Sequence, residues 1–106
     1  RTVSSAASDV YKRQVEKIAY SAFYQTRMEF VLSRAGIRTL MVCGIVTNGG
    51  VASTVRDAHV RDFNVITLHD GCAAFSRETH DTAVEALATV GRTMSVAEAQ
   101  ALFEGS

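Results

Sequence analysis

The sequence predicts an α/β protein with a parallel sheet, and three observations predict it. Two short apolar runs, residues 39–43 (TLMVC) and 64–68 (NVITL), have the length and β-branched content of buried strands. Apolar residues at helical spacing precede, separate and follow them. Strand, glycine turn and amphipathic helix then alternate, the order of βαβ units with right-handed crossovers.

Each element has its own signal. Met28, Val31, Leu32 and Ala35 form the stripe of a first helix, with Thr26 as N-cap and Gly36 as the residue just past its end. Residues 39–43 follow as a strand buried on both faces. Val51, Thr54, Val55 and Ala58 mark a second helix, and residues 64–68 the next buried strand. Ser76 caps a third helix whose inner face is Ala83, Ala86, Leu87 and Val90, and Gly91 stops it. Thr93 and Met94 suggest a short edge strand. Ser95 and Glu98 have the spacing of a capping box and open a last helix. Residues 1–14 show no period of 2 or 3.6 and are set aside as a non-native or disordered segment. Residues 15–106 carry the domain.

Composition narrows the function. A chain of 106 residues holds one domain, and 47% hydrophobic content can build its core. Eleven basic and eleven acidic side chains cancel, which argues against a nucleic-acid partner. No apolar run nears the roughly 18 residues of a membrane span, and no signal peptide is visible. The expected setting is cytoplasmic, with Cys43 and Cys72 as buried, reduced thiols. The chain has no proline, which fits short connections between helices. Walker and dinucleotide glycine motifs are absent, so no cofactor is expected. His59, His69 and His80 lack metal-ligand spacing, so no metal is expected and each reads as satisfied or exposed.

In a parallel sheet, ligands bind beyond the carboxyl ends of the strands. The turn after Cys43 reads GIVTNGG over residues 44–50, ahead of a helix. Its glycines let backbone approach a ligand, and N–H groups at a helix start can hold negative charge. The same pattern also serves simply to pack helix on sheet. Asp70, at the end of the second strand, is a possible acid or a turn cap, and Gly71 favours the turn. Lys17 alone reads as surface, and Tyr20, Phe23 and Tyr24 as core or pocket wall.

Taken in order, these pieces resemble the isochorismatase-like (cysteine hydrolase) superfamily. The resemblance rests on KIAYSAF at 17–23, LMVCG at 40–44, IVT at 45–47, Val51 and Thr54. It continues through RDA at 56–58, DGCAA at 70–74 and the segment from Ser76 to His80. It implies a three-layer, Rossmann-like fold with helices on both faces of the sheet. It also implies a small-molecule hydrolase that forms homo-oligomers. The family's catalytic lysine falls on Lys17, and its nucleophilic cysteine position on Gly50. Substrate contacts fall on Tyr20, Phe23, Val46, Thr47, Asn48 and Gly49. A cis peptide is implied at Val46–Thr47. The family's aspartate lies on a first strand that this chain lacks, so a partial domain is expected.

Glycine at the nucleophile position resembles the true isochorismatases, which cleave a vinyl ether without a covalent enzyme intermediate. Tyr20 fits that group. Gln25, where that group tends to carry arginine, does not. Residues 46–48 (VTN) look more like the amidohydrolase branch. The expected function is therefore non-covalent hydrolysis of a small anionic substrate. The alternatives are C–N hydrolysis, or a member that has lost catalysis, with the fragment itself inactive.

Overall fold

The computed structural model describes residues 2–4, 14–17 and 19–104. Strand β1 (Thr2–Ser4) pairs antiparallel with β2 (Gln14–Glu16). β1 thus falls within the segment set aside above, most of which (residues 1 and 5–13) lies outside the described residues. Then come α1 (Met28–Arg34), β3 (Thr39–Ile45), a single π-type turn (Thr47–Val51) and α2 (Ala52–Val60). β4 (Asn64–Ala73), α3 (Arg77–Leu87), β5 (Arg92–Met94) and α4 (Val96–Glu104) complete the order. β3, β4 and β5 form a parallel sheet in that spatial order. The α/β expectation holds.

The central strand, β4, is covered on both faces. Val65 of β4 packs with Val55 and Ala58 of α2, Leu87 of α3, Phe23 and Phe63. Met28 and Leu32 of α1 close this side, with Leu40 and Val42 of β3. On the opposite face Ile66 and Leu68 meet Met94 and Ala99 of α4. The central strand therefore buries Val65, Ile66, Thr67 and Leu68 in succession, as a strand sandwiched between two layers must.

β3 departs from expectation. Its residues alternate between exposed and half-buried, with Met41 48% and Ile45 77% exposed. The reason is lateral: α4 packs over β4 and β5, and β3 is the end strand of this sheet. Cys43 follows the exposed alternation, so it is not the buried thiol expected, whereas Cys72 is half-buried.

β4 also runs on past Leu68, through the turn expected at Asp70 and Gly71. Val42 pairs with Thr67 and Gly44 with Cys72, so β4 carries extra residues through a bulge. Gly71 fits there because a side-chain carbon would meet the Cys43 Cβ at 3.0 Å. Asp70 caps a helix far along the chain: its Oδ1 accepts the Val96 N–H at 2.8 Å. The Ser95–Glu98 capping box forms as expected. Ser95 Oγ accepts from the Glu98 N–H at 3.0 Å, and Glu98 Oε1 from the Ser95 N–H at 2.8 Å. The bonds to the Ser95 backbone and hydroxyl hold the Glu98 carboxyl below its ordinary range.

Helix ends follow local chemistry. Gly36, at φ +73°, takes the left-handed position past α1. There the Gly36 and Ile37 amides bond the carbonyls of Ser33 and Leu32. Ser76 Oγ accepts from Thr79 N–H and starts α3. Gly91 does not stop α3, which ends at Leu87. Its work is close approach: a side-chain carbon there would sit 2.6 Å from the Val65 carbonyl oxygen. Gly91→Ala is therefore expected to lower unfolding free energy by about 1–3 kcal/mol, the usual cost of forcing atoms into a packed site. Urea denaturation checks this, and an unchanged midpoint would refute the contact.

Candidate active site

The site forms where β3 ends. The Ile45–Val46 peptide is cis, one residue earlier than the Val46–Thr47 position expected. The physical reason lies in the turn. The Val46 carbonyl accepts both the Gly49 N–H at 3.1 Å and the Val51 N–H at 3.2 Å. The Val46 carbonyl, in the Val46–Thr47 peptide, is thereby committed to the turn that follows the cis bond. The Val51 bond spans five residues, which makes this a π turn. Val51 is buried and ties the turn to the core.

A second segment, residues 19–26, folds over the turn. Lys17 organises its start: Nζ donates to the carbonyls of Ala19 at 2.8 Å and Tyr20 at 3.0 Å. The Ala22 N–H donates to Thr54 Oγ1 on α2 at 2.9 Å. Thr26 Oγ1 donates to the Ala22 carbonyl and accepts the Met28 N–H. Thr26 thus serves the start of α1 from one position before its cap residue, Arg27.

These contacts bring Lys17, Tyr20 and Gly50 together. A side-chain carbon at Gly50 would point at the Tyr20 carbonyl oxygen, 3.3 Å away, with the Ile45 carbonyl at 3.8 Å. The same Tyr20 oxygen takes the Lys17 ammonium. Position 50 thus faces the carbonyl that holds the lysine head group. Gly49 is also constrained, since a side-chain carbon there would meet Val46 Cγ2 at 2.9 Å.

The other expected contact residues separate. Tyr20 is exposed and Asn48 is exposed, whereas Val46 and Gly49 are half-buried. Phe23 is a core side chain, 4% exposed, with its ring 5.8 Å from that of Phe63. The Arg61 guanidinium lies 5.2 Å from the Phe23 ring centroid and pairs with Glu29 and Asp57. Phe23 therefore anchors the overlying segment from inside. Thr47 is fully buried, so its side chain faces the protein, where Oγ1 lies 2.7 Å from His80 Nδ1.

Two open grooves flank α2. One, of about 520 Å³, has Asn48, Ser53 and Arg56 on one wall and Glu78, Thr79 and Thr82 on the other. The second, of about 430 Å³, joins Tyr20 and Tyr24 to Ser53 and Arg56. Arg56 thus borders both. Ser53 was not singled out in the sequence, and Arg56 only as part of the RDA segment of the resemblance, with no site role; their i, i+3 spacing on the helix was the available signal. His80 was read as satisfied or exposed and as the end of the Ser76 to His80 segment of the resemblance, with no site role, since nothing local connects it to Thr47. Among the described residues, no cluster of three or more His, Cys, Asp or Glu side chains could hold a metal ion. No described helix is long and apolar enough to cross a membrane.

Comparison with known proteins agrees with this architecture. The family model for the isochorismatase domain matches residues 2–99. An uncharacterized isochorismatase family protein of Escherichia coli O157:H7, YecD, is 40% identical over 91 residues, covering 85% of this chain and 46% of YecD. Nicotinamidase 3 of Arabidopsis thaliana is 36% identical over 74 residues, covering 70% of this chain and 37% of that protein. In three dimensions, an isochorismatase-like hydrolase from Alkaliphilus metalliredigens superposes with a TM-score of 0.83 at 32% identity. It covers 84% of this chain and 50% of that one. The chain spans about half the length of these relatives or less. A parallel α/β sheet, the turn after β3 and a family match over most of the sequence converge: the chain belongs to the isochorismatase family of hydrolases.

Proposed function

We propose that this chain is part of a hydrolase that acts on a small anionic substrate without a covalent enzyme intermediate. One observation carries the reading: position 50, aimed at the carbonyl that holds Lys17, is glycine. Covalent acyl transfer needs a nucleophile on the enzyme. Cys43 cannot supply it, since it lies on β3, seven residues earlier in the chain. A water molecule must then attack the substrate directly. Lys17 binds or polarises the anionic substrate. Backbone N–H groups around Thr47 to Gly50, other than that of Gly49, which serves the Val46 carbonyl, hold the negative charge of the substrate, and in C–N hydrolysis the oxyanion that develops. Tyr20, Val46, Asn48 and Gly49 border the substrate. The proton donor is proposed to come from the part of the family's domain that this chain does not span.

A second reading, hydrolysis of a C–N bond, is favoured by the likeness to a nicotinamidase. The two readings separate by substrate. The parent protein, assayed with isochorismate and with nicotinamide, tests vinyl-ether against carboxamide cleavage. Lys17→Ala is expected to abolish turnover and Gly50→Ala to reduce it. No turnover of either class, or a fully active Lys17→Ala protein, would sink the proposal.

The placement of position 50 can be tested without a substrate. In Gly50→Cys, made with Cys43→Ser, a thiol enters beside the Lys17 ammonium, and a nearby cation favours the thiolate. Iodoacetamide is expected to alkylate it at neutral pH several-fold faster than Cys72, whose thiol burial pushes upward. Adding Lys17→Met should remove that advantage. Equal rates at positions 50 and 72, read by peptide mass spectrometry, would contradict the juxtaposition.

A further inference from the structure

We infer that His80 is a positioning residue for the turn that opens α2. The observation is the contact between His80 Nδ1 and Thr47 Oγ1, 2.7 Å across 33 residues of sequence. Thr47 is fully buried. A buried hydroxyl needs a partner, and the imidazole provides one. Where the ring proton sits on Nε2 the hydroxyl donates to Nδ1, and where Nδ1 carries a proton Nδ1–H donates to the hydroxyl oxygen. The link therefore holds in either state, with donor and acceptor exchanged.

The turn needs such a link. It holds two adjacent glycines, Gly49 and Gly50, which give it little stiffness of its own. Two of its bonds converge on one acceptor, the Val46 carbonyl, and the Ala52 N–H closes it on the Thr47 and Gly49 carbonyls. His80 lies in the first turns of α3, whose start is fixed by Ser76 and whose far end is fixed by the fully buried Leu87. A rigid helix thus holds the first residue of the turn. This rests on the reading above that backbone N–H groups of the turn face the substrate. It adds that the Thr47 side chain serves the turn's placement and that His80 sets the direction of those donors from outside the site.

The test is amide hydrogen exchange by NMR on the complete chain, reading Gly49 and Val51 against the amides of β4. Thr47→Val and His80→Leu are each expected to speed exchange at Gly49 and Val51 about ten-fold, the effect of losing one hydrogen bond. Their combination should add nothing further. Thr47→Ser and His80→Asn, which keep polar atoms near the contact, should restore slow exchange. The ¹⁵N shift of His80 Nδ1 should move in Thr47→Val and stay in place in Thr47→Ser. In the unmutated chain, the Thr47 hydroxyl proton should be protected from solvent. A freely exchanging hydroxyl, unchanged exchange at Gly49 and Val51, additive effects, or an equal rise throughout β4 would each overturn the inference. No turnover is read, so an idle protein with the expected exchange pattern would count against the proposed hydrolysis and leave this inference standing.

Discussion

Both layers of this protein depend on the burial of one strand from two sides. Val65 faces a core built by α2, α3 and Phe23, while Ile66 and Leu68 face α4 through Met94 and Ala99. Each fully buried aliphatic side chain contributes roughly 1.5–3 kcal/mol, so this strand ties the two layers into one unit. Other features answer to it. Gly91 is glycine because its backbone passes against the Val65 carbonyl. α4 is seated by a carboxylate, Asp70, that β4 carries beyond its apolar stretch.

The candidate site inherits its geometry from that core without being part of it. Val51, Val55 and Ala58 fix one side of α2, and this sets where the preceding turn can lie. Phe23 enters the same core and holds the segment above the turn, while the Ala22–Thr54 hydrogen bond sets its height over α2. Lys17 then gathers the Ala19 and Tyr20 carbonyls at the edge of the turn. Apolar packing thus positions a lysine, a tyrosine and a glycine that come from two separated stretches of chain.

The two cysteines show how lateral position in a sheet decides chemistry. Both lie in apolar stretches, and composition alone treats them alike. Cys43 is exposed because β3 ends the sheet and α4 covers only its neighbours. Cys72 lies beyond the bulge in β4, where it packs at the edge of the larger core and burial pushes its thiol upward.

From α1 onward, element type and order were legible from sequence because they depend on short-range pattern, whereas the β1–β2 pair was not. The stripe of Val51, Val55 and Ala58, the cap at Ser76 and the box between Ser95 and Glu98 each form from residues within two turns of one another. Family membership was legible too, from the order of Lys17, the strand before Gly44 and the turn after it. What needed the tertiary structure was every relation across long separations. Phe23 proved to be core because Phe63 meets it. Asp70 caps α4 because a bulge carries β4 past its expected end. Thr47 turns inward to His80 because α3 returns beside the turn. The sequence by itself determined which elements form from α1 onward and in what order, through periodicity and capping. Only the folded chain decided which faces are covered and which backbone carbonyls meet at Gly50, because those depend on distances between residues that local pattern does not encode.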